Sequence, residues 1–259
     1  MPSHPVRSEP ESTPMSSVLT TTRAELYKTR HHRLPYVVTA LGAMAAAAPG
    51  IYFMFRPADS PELYTETVIG VAGLYLILAA AIFGGWILGH EYRQHTLRRV
   101  VAVDASRPRV LAAKAIAGSI ALSVMSAVVV GAGFGVGAIA AAMDGSSLGT
   151  ADMGRQLAAV AVPVVISAVV AFGASAAFRS DTYATLAALG LVVVFSPLLA
   201  LIPTVGPYTL GALMESVTSW VGTEAITPAE GATTTVLALG AWLAGSVAVG
   251  GALFARRDL

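Results

Sequence analysis

Residues 34–55 run for 22 positions without a charged side chain. At helical rise that is about 33 Å, against a bilayer hydrocarbon core of about 30 Å. Inside lipid every backbone N–H and C=O must bond within the protein, so a run of this length folds as a spanning helix. Uncharged runs recur at 67–90, 115–143, 156–178 and 231–255. The third is long enough to tilt or to project beyond the bilayer. The fourth contains Pro163, which a membrane helix tolerates as a kink. Between Asp181 and Glu215 no charge appears, a stretch too long for one crossing and too short for two. Ser196, Pro197, Pro203, Gly206 and Pro207 divide it into a fifth span, 182–201, and a broken apolar stretch, 204–221, expected to dip into the outer interface. The expected fold is all-α, a polytopic membrane protein with six transmembrane helices.

Composition agrees with that reading. Only 12% of residues are charged and 55% are apolar, whereas a soluble domain is about a quarter charged. Residues 1–17, with Pro2, Pro5, Pro10 and Pro14 among Ser, Thr and Glu, are expected to form a disordered tail. That start does not lead into an apolar core with a cleavage site, so the N-terminus is expected to stay on the side of synthesis. Residues 18–33 mix Val18, Leu19, Leu26 and Tyr27 with Arg23, Glu25, Lys28, Arg30 and Arg33. This pattern predicts an amphipathic interfacial helix whose basic residues snorkel toward headgroups. Residues 34–259 form one six-span membrane domain.

Lys and Arg set the orientation, because they resist translocation and accumulate in cytoplasmic loops. Fourteen lie at the N-terminus, in the loop between spans two and three, at Arg179 and at Arg256 and Arg257. The other face holds only Arg56 and Arg155, beside Asp59, Glu62, Glu66, Asp144, Asp152, Glu215, Glu224 and Glu230. Both termini are therefore expected in the cytoplasm, and an odd number of spans would put a basic loop on the acidic face.

Several chemistries are excluded. The chain has no cysteine, so it offers no disulfide, zinc-thiolate site, iron–sulfur cluster or thiol nucleophile. A formal charge of +1 predicts no nucleic-acid partner. His90-Glu91-Tyr92-Arg93-Gln94-His95 approaches the zinc-protease H-E-x-x-H, but the second imidazole falls at i+5, about 140° round the helix, so the two do not share a metal. Gly133-Phe134-Gly135-Val136-Gly137-Ala138 fits the dinucleotide fingerprint, yet it lies inside an apolar span with no preceding strand. Its glycines at i and i+4, Gly131 with Gly135 and Gly133 with Gly137, instead predict a smooth face for close helix packing. No segment matches the phosphate-cradling loop of P-loop ATPases, and the six uncharged runs hold no Asp, Glu, Lys or Arg for an ion relay.

The loop between spans two and three reads Glu91-Tyr92-Arg93-Gln94-His95-Thr96-Leu97-Arg98-Arg99, a short apolar stretch to Asp104, then Arg107, Leu111 and Lys114. It resembles the ABC-2 type permeases, in which the second span ends with Glu and an aromatic, followed by Gly-Thr-Leu-Arg, a basic residue and a Leu-x-x-Lys entry into the third span. His95 stands where that family usually has Gly. Residues 24–30 resemble the family's amphipathic entry helix, and residues 254–259 its tail. A basic loop alone is no more than the positive-inside rule delivers; the order of residue types, with Leu97, Val100, Val101 and Val103 set in water, exceeds it.

The resemblance implies a permease subunit of an ABC exporter that pairs with a second permease copy or paralogue and with separate ATPase subunits. It binds no cofactor itself, ATP and Mg belonging to the partner. Glu91, Tyr92, His95, Thr96, Leu97, Arg98 and Arg99 would form the segment that docks on the ATPase, with Leu97 as apolar anchor and Glu91 facing the positive end of a helix start. Runs without charge favour an apolar or amphiphilic cargo such as a drug, antibiotic peptide or lipid; Ser123, Ser126, Ser167, Ser175 and Thr185 are candidate polar contacts, more readily used between helices. A non-transporting membrane scaffold or assembly factor would show the same spans without an ATPase.

Overall fold

The computed structural model describes residues 18–94, 96, 107–149, 153–222 and 231–256. Every regular element among them is helical. A short helix, α1 (Val18–His31), leads through the extended His32 into α2 (Arg33–Phe55). Next come α3 (Pro61–Arg93), α4 (Arg107–Met143) and α5 (Met153–Phe178). The fifth span is composite: α6 (Asp181–Leu189), a π-helical turn (Gly190–Phe195) and α7 (Ser196–Ala200). A 3-10 turn (Gly206–Tyr208), α8 (Leu210–Gly222) and α9 (Ala232–Arg256) complete the described chain. Among the described residues, six helices are long and apolar enough to cross a membrane: α2, α3, α4, α5, the composite Asp181–Ala200 and α9.

Local sequence sets several of these ends. Ser60 caps α3 by accepting a hydrogen bond from the Leu63 N–H, with Pro61 in the first turn and Glu62 facing the positive end of the dipole. Ser180 caps α6 in the same way from the Tyr183 N–H. Pro163 inside α5 cannot donate to the Ala159 carbonyl. The Thr218 hydroxyl of α8, already bonded to Met214 O, lies 3.4 Å from that carbonyl.

Helix α3 is the centre of the bundle, packed against α5, α2, α4 and α6. Leu76, Ala79, Ala80, Phe83 and Trp86 of α3 meet Val38, Leu122, Val129 and Val164 in the main core. Small residues let backbones approach: a Cβ on Gly84 would strike the backbone of Ala168, and one on Gly89 the backbone of Asp181. Ser167 of α5 donates to Ile77 O of α3 at 3.0 Å, a polar tie between spans.

Three features depart from the expectations above. Helices α3 and α4, at 33 and 37 residues, run past the uncharged stretches and carry Glu91 and Lys114 within them, both buried. The inward face of α1 is polar, Thr22, Glu25 and Thr29, while Leu19 and Tyr27 point outward; it packs against α4 rather than resting on lipid alone. Residues 204–221 are not merely broken. They form the 3-10 turn and α8, whose 13 residues rise about 20 Å, too little to cross a hydrocarbon core of about 30 Å.

Candidate functional site

A ring of alternating charges joins three elements at one end of the bundle. Glu25 and Lys28 come from α1, Glu91 from the last turn of α3, and Lys114 from the second turn of α4. Lys114 Nζ lies 2.6 Å from Glu25 Oε2 and 2.9 Å from Glu91 Oε1. Lys28 Nζ lies 2.7 Å from Glu25 Oε1 and 2.9 Å from Glu91 Oε1. Side-chain exposure is 1% for Lys114, 6% for Glu25 and 7% for Glu91, against 44% for Lys28. Two ammoniums and two carboxylates make the ring neutral, and neutrality is what lets three of its four members be buried. Burial works against the Lys28 ammonium, but hydrogen bonding to Glu25 and attraction to Glu91 outweigh it and raise its pKa above the ordinary lysine value.

The helix start that Glu91 is expected to face falls outside the described residues; Glu91 itself lies in the last turn of α3. It sits at the negative end of the α3 dipole, which disfavours a carboxylate, and the two lysines neutralise it instead. Its Oε2 is buried without a hydrogen-bond partner among the described residues.

Two further ties hold the same end. Arg93 Nη1 bonds Asp181 Oδ2 at 2.8 Å, linking the end of α3 to the start of α6. Arg107 Nη1 donates to Ala255 O at 2.6 Å and lies 3.4 Å from Phe254 O. A guanidinium at the start of α4 thus caps the last carbonyls of α9. Leu88, Ala176 and Phe254 form a small core beneath, with Tyr92 and Leu111 against it.

The docking segment is described only at its edge. Thr96 N–H donates to Glu91 O at 3.1 Å, a six-to-one closure of α3. Such a closure favours glycine at the position just beyond the helix, where His95 stands. His95, Leu97, Arg98 and Arg99 lie outside the described residues.

The four α4 glycines at 131–137 divide between two faces. A Cβ on Gly133 would fall 2.8 Å from Val68 Cγ1 and 3.0 Å from Ala46 O, and Gly137 faces Val68 and Leu148. Gly131 and Gly135 have nothing within 4 Å. The close packing through Gly133 and Gly137 is internal to the chain, with α2 and α3.

Ser167 and Ser175 bond backbone carbonyls at Ile77 and Phe172, and Thr185 packs beside Gly85. Ser123 and Ser126 line an apolar groove of about 760 Å³ between α3, α4, α5 and α9, which Lys114 also borders.

Six membrane-length helices laced at one end by buried ion pairs define a polytopic α-helical membrane protein. Residues 13–259 match the model of the ABC-2 family transporter protein, and the chain belongs to that family. It is accordingly a membrane permease subunit of an ABC transporter, a multi-pass plasma-membrane protein for which the family implies an ABC ATPase partner. No curated protein matches the chain.

Proposed function

We propose that this chain is the membrane half of an ATP-driven exporter in a bacterial-type plasma membrane, with both termini cytoplasmic. It works with a second permease copy or paralogue and with separate ATPase subunits that bind ATP and Mg. Its cargo is apolar or amphiphilic, a drug, an antibiotic peptide or a lipid.

The ring of Glu25, Lys28, Glu91 and Lys114 is the observation that carries this reading. Residues 94–106 run between α3 and α4, and the ring holds both of those helices close to the segment and ties them to α1. A segment with Leu97, Val100, Val101 and Val103 among Arg98 and Arg99 has an apolar face to bury and guanidiniums to pair, the composition of a peptide that docks in a protein groove. Docked on an ATPase, it passes the motion of ATP binding through the ring into α3 and α4, biasing an inward against an outward state.

The test uses the full-length protein with its ATPase. Leu97→Asp and Arg98→Glu should insert and express as wild type yet lose vanadate-sensitive ATPase recruitment and transport. Truncating a buried charged partner at an interface costs roughly 2–5 kcal/mol, so Arg98→Glu should weaken association at least about thirtyfold. Normal association and transport in both variants, or ATP hydrolysis by the purified chain alone, would overturn the proposal in favour of a membrane scaffold.

A further inference from the structure

Helices α4 and α5 make almost no direct contact with each other; α3 closes the gap between them on one side, and α9 packs on α5 and touches α4. The resulting groove has Leu76 and Ile87 of α3 as its floor, with Leu122 and Val130 on one wall and Val160 and Phe172 on the other. Its lining on α4 extends from Pro108 to Val130, about 33 Å of helical rise. An acyl chain reaches half of a hydrocarbon core of about 30 Å, so the groove accommodates one along its whole length.

The groove is not uniform along its axis. At the end where α4 begins and α9 ends, arginines gather. Arg107 and Arg109 flank the lining residue Pro108; Arg179 follows the lining residue Ala176 by one turn, and Arg256 lies just past the lining residue Gly251. That these positions share one end is fixed by the Arg107 bond to Ala255 O and by the antiparallel order of the helices. Arg179 and Arg256 are exposed. Arg179 also holds a left-handed backbone, φ 56, where glycine would be less strained. This residue places a guanidinium just beyond the end of α5.

An apolar trough with exposed arginines at one end of the bundle is complementary to an anionic amphiphile whose charge lies at the membrane surface. We propose that the groove binds one anionic glycerophospholipid from the surrounding bilayer, its acyl chain along α3 and its phosphate at the end marked by Arg179 and Arg256. The bound lipid fills the space that α4 and α5 leave between them and, through the groove-lining Lys114, lies beside the charged ring. This site does not depend on the direction of transport or on the cargo.

Native mass spectrometry of the purified, delipidated full-length protein, titrated with phosphatidylglycerol and separately with phosphatidylcholine, tests it. One phosphatidylglycerol per chain should be retained with at least tenfold lower Kd than phosphatidylcholine. Arg179→Gln with Arg256→Gln, both at exposed positions, should bring phosphatidylglycerol to within about twofold of phosphatidylcholine and leave the latter unchanged. Ala127→Trp should displace the lipid while leaving the helical circular dichroism intact. Equal affinity for the two lipids in the wild type, or an unchanged preference in the double arginine variant, overturns the proposal. So does efficient crosslinking of Ser123→Cys between two copies in native membranes, because the groove is then covered by a second chain.

Discussion

Lys114→Met is the perturbation that most directly tests the charged ring. The ammonium is 1% exposed and touches Glu25 at 2.6 Å and Glu91 at 2.9 Å. Methionine keeps most of the volume and removes the charge, leaving two buried carboxylates to share Lys28. Breaking a buried pair by deleting one partner typically costs about 3–5 kcal/mol, because the remaining charge is uncompensated. If that cost is electrostatic, restoring neutrality should recover part of it. Lys114→Met combined with Glu91→Gln should therefore be more stable than Lys114→Met alone, with a coupling of about 1–3 kcal/mol for residues in one network. Denaturant titration of the full-length protein in mild detergent, followed by tryptophan fluorescence, gives the four corners of the cycle. Wild-type stability in Lys114→Met, or a double variant no better than the single one, would refute the argument that burial makes the ring interdependent.

Three other outcomes follow from the geometry. Lys28 has a raised pKa, so its charged form is favoured by folding; its stabilisation is fully present below the unfolded value near 10.5 and is lost as pH rises through the higher folded value. The stability difference between wild type and Lys28→Met should thus be flat from neutral pH to about 10 and shrink above it, as read by thermal unfolding across alkaline pH. Gly133→Leu should lower the unfolding midpoint, since its side chain meets Val68 and the Ala46 carbonyl, whereas Gly131→Leu and Gly135→Leu, with nothing within 4 Å, should leave it unchanged. Arg107→Gln should speed amide hydrogen exchange in the last turn of α9, where Phe254 and Ala255 lose a capping guanidinium.

Hydropathy located the spans because their defining property is local: about twenty consecutive apolar residues are sufficient for a membrane crossing. Charges at the ends of helices escape such a window. Glu91 and Lys114 lie just outside runs 67–90 and 115–143, and so the runs looked free of ionisable residues while the helices are not. The ring's pairings bridge 63 residues from Lys28 to Glu91 and 89 from Glu25 to Lys114, separations at which one sequence carries no pairing information. A cue was nonetheless present. On a face where basic residues prevail an acid is out of place, and Glu25 in the amphipathic segment and Glu91 and Asp181 at the edges of apolar runs are three such residues. Each is paired with a base in the structure. The composite fifth span was legible only as a stretch of awkward length, because the π-turn at Gly190–Phe195 and the bond from the Gly211 N–H to Ser196 Oγ depend on α8 folding back.

The placement of these pairs has a mechanical consequence. The described residues on either side of 97–106 are attached to three other elements: through Glu91 and Lys114 to α1, through Arg93 to α6, and through Arg107 to α9. Backbone-close contacts at Gly84 and Gly89 add α5 and reinforce α6. Under the proposed docking, a force applied to 97–106 reaches α3 and α4 at their described ends. It is passed to the spans on both sides of α3, which must move together or break these ties, among them the ring in which three of four charges are buried. Ion pairs serve this purpose better than apolar contacts, because their geometry is directional and the penalty for separating them in a dry site is steep. The opposite end of the bundle is built differently. There Tyr64, Phe53, Ala140 and Ala141 pack as an apolar cluster with the Tyr64 hydroxyl 3.5 Å from Asp144, and packing of that kind tolerates small sliding between helices. One end is tied chiefly by charge and the other chiefly by packing, so under the proposed docking the charged end would move as a body about the apolar one.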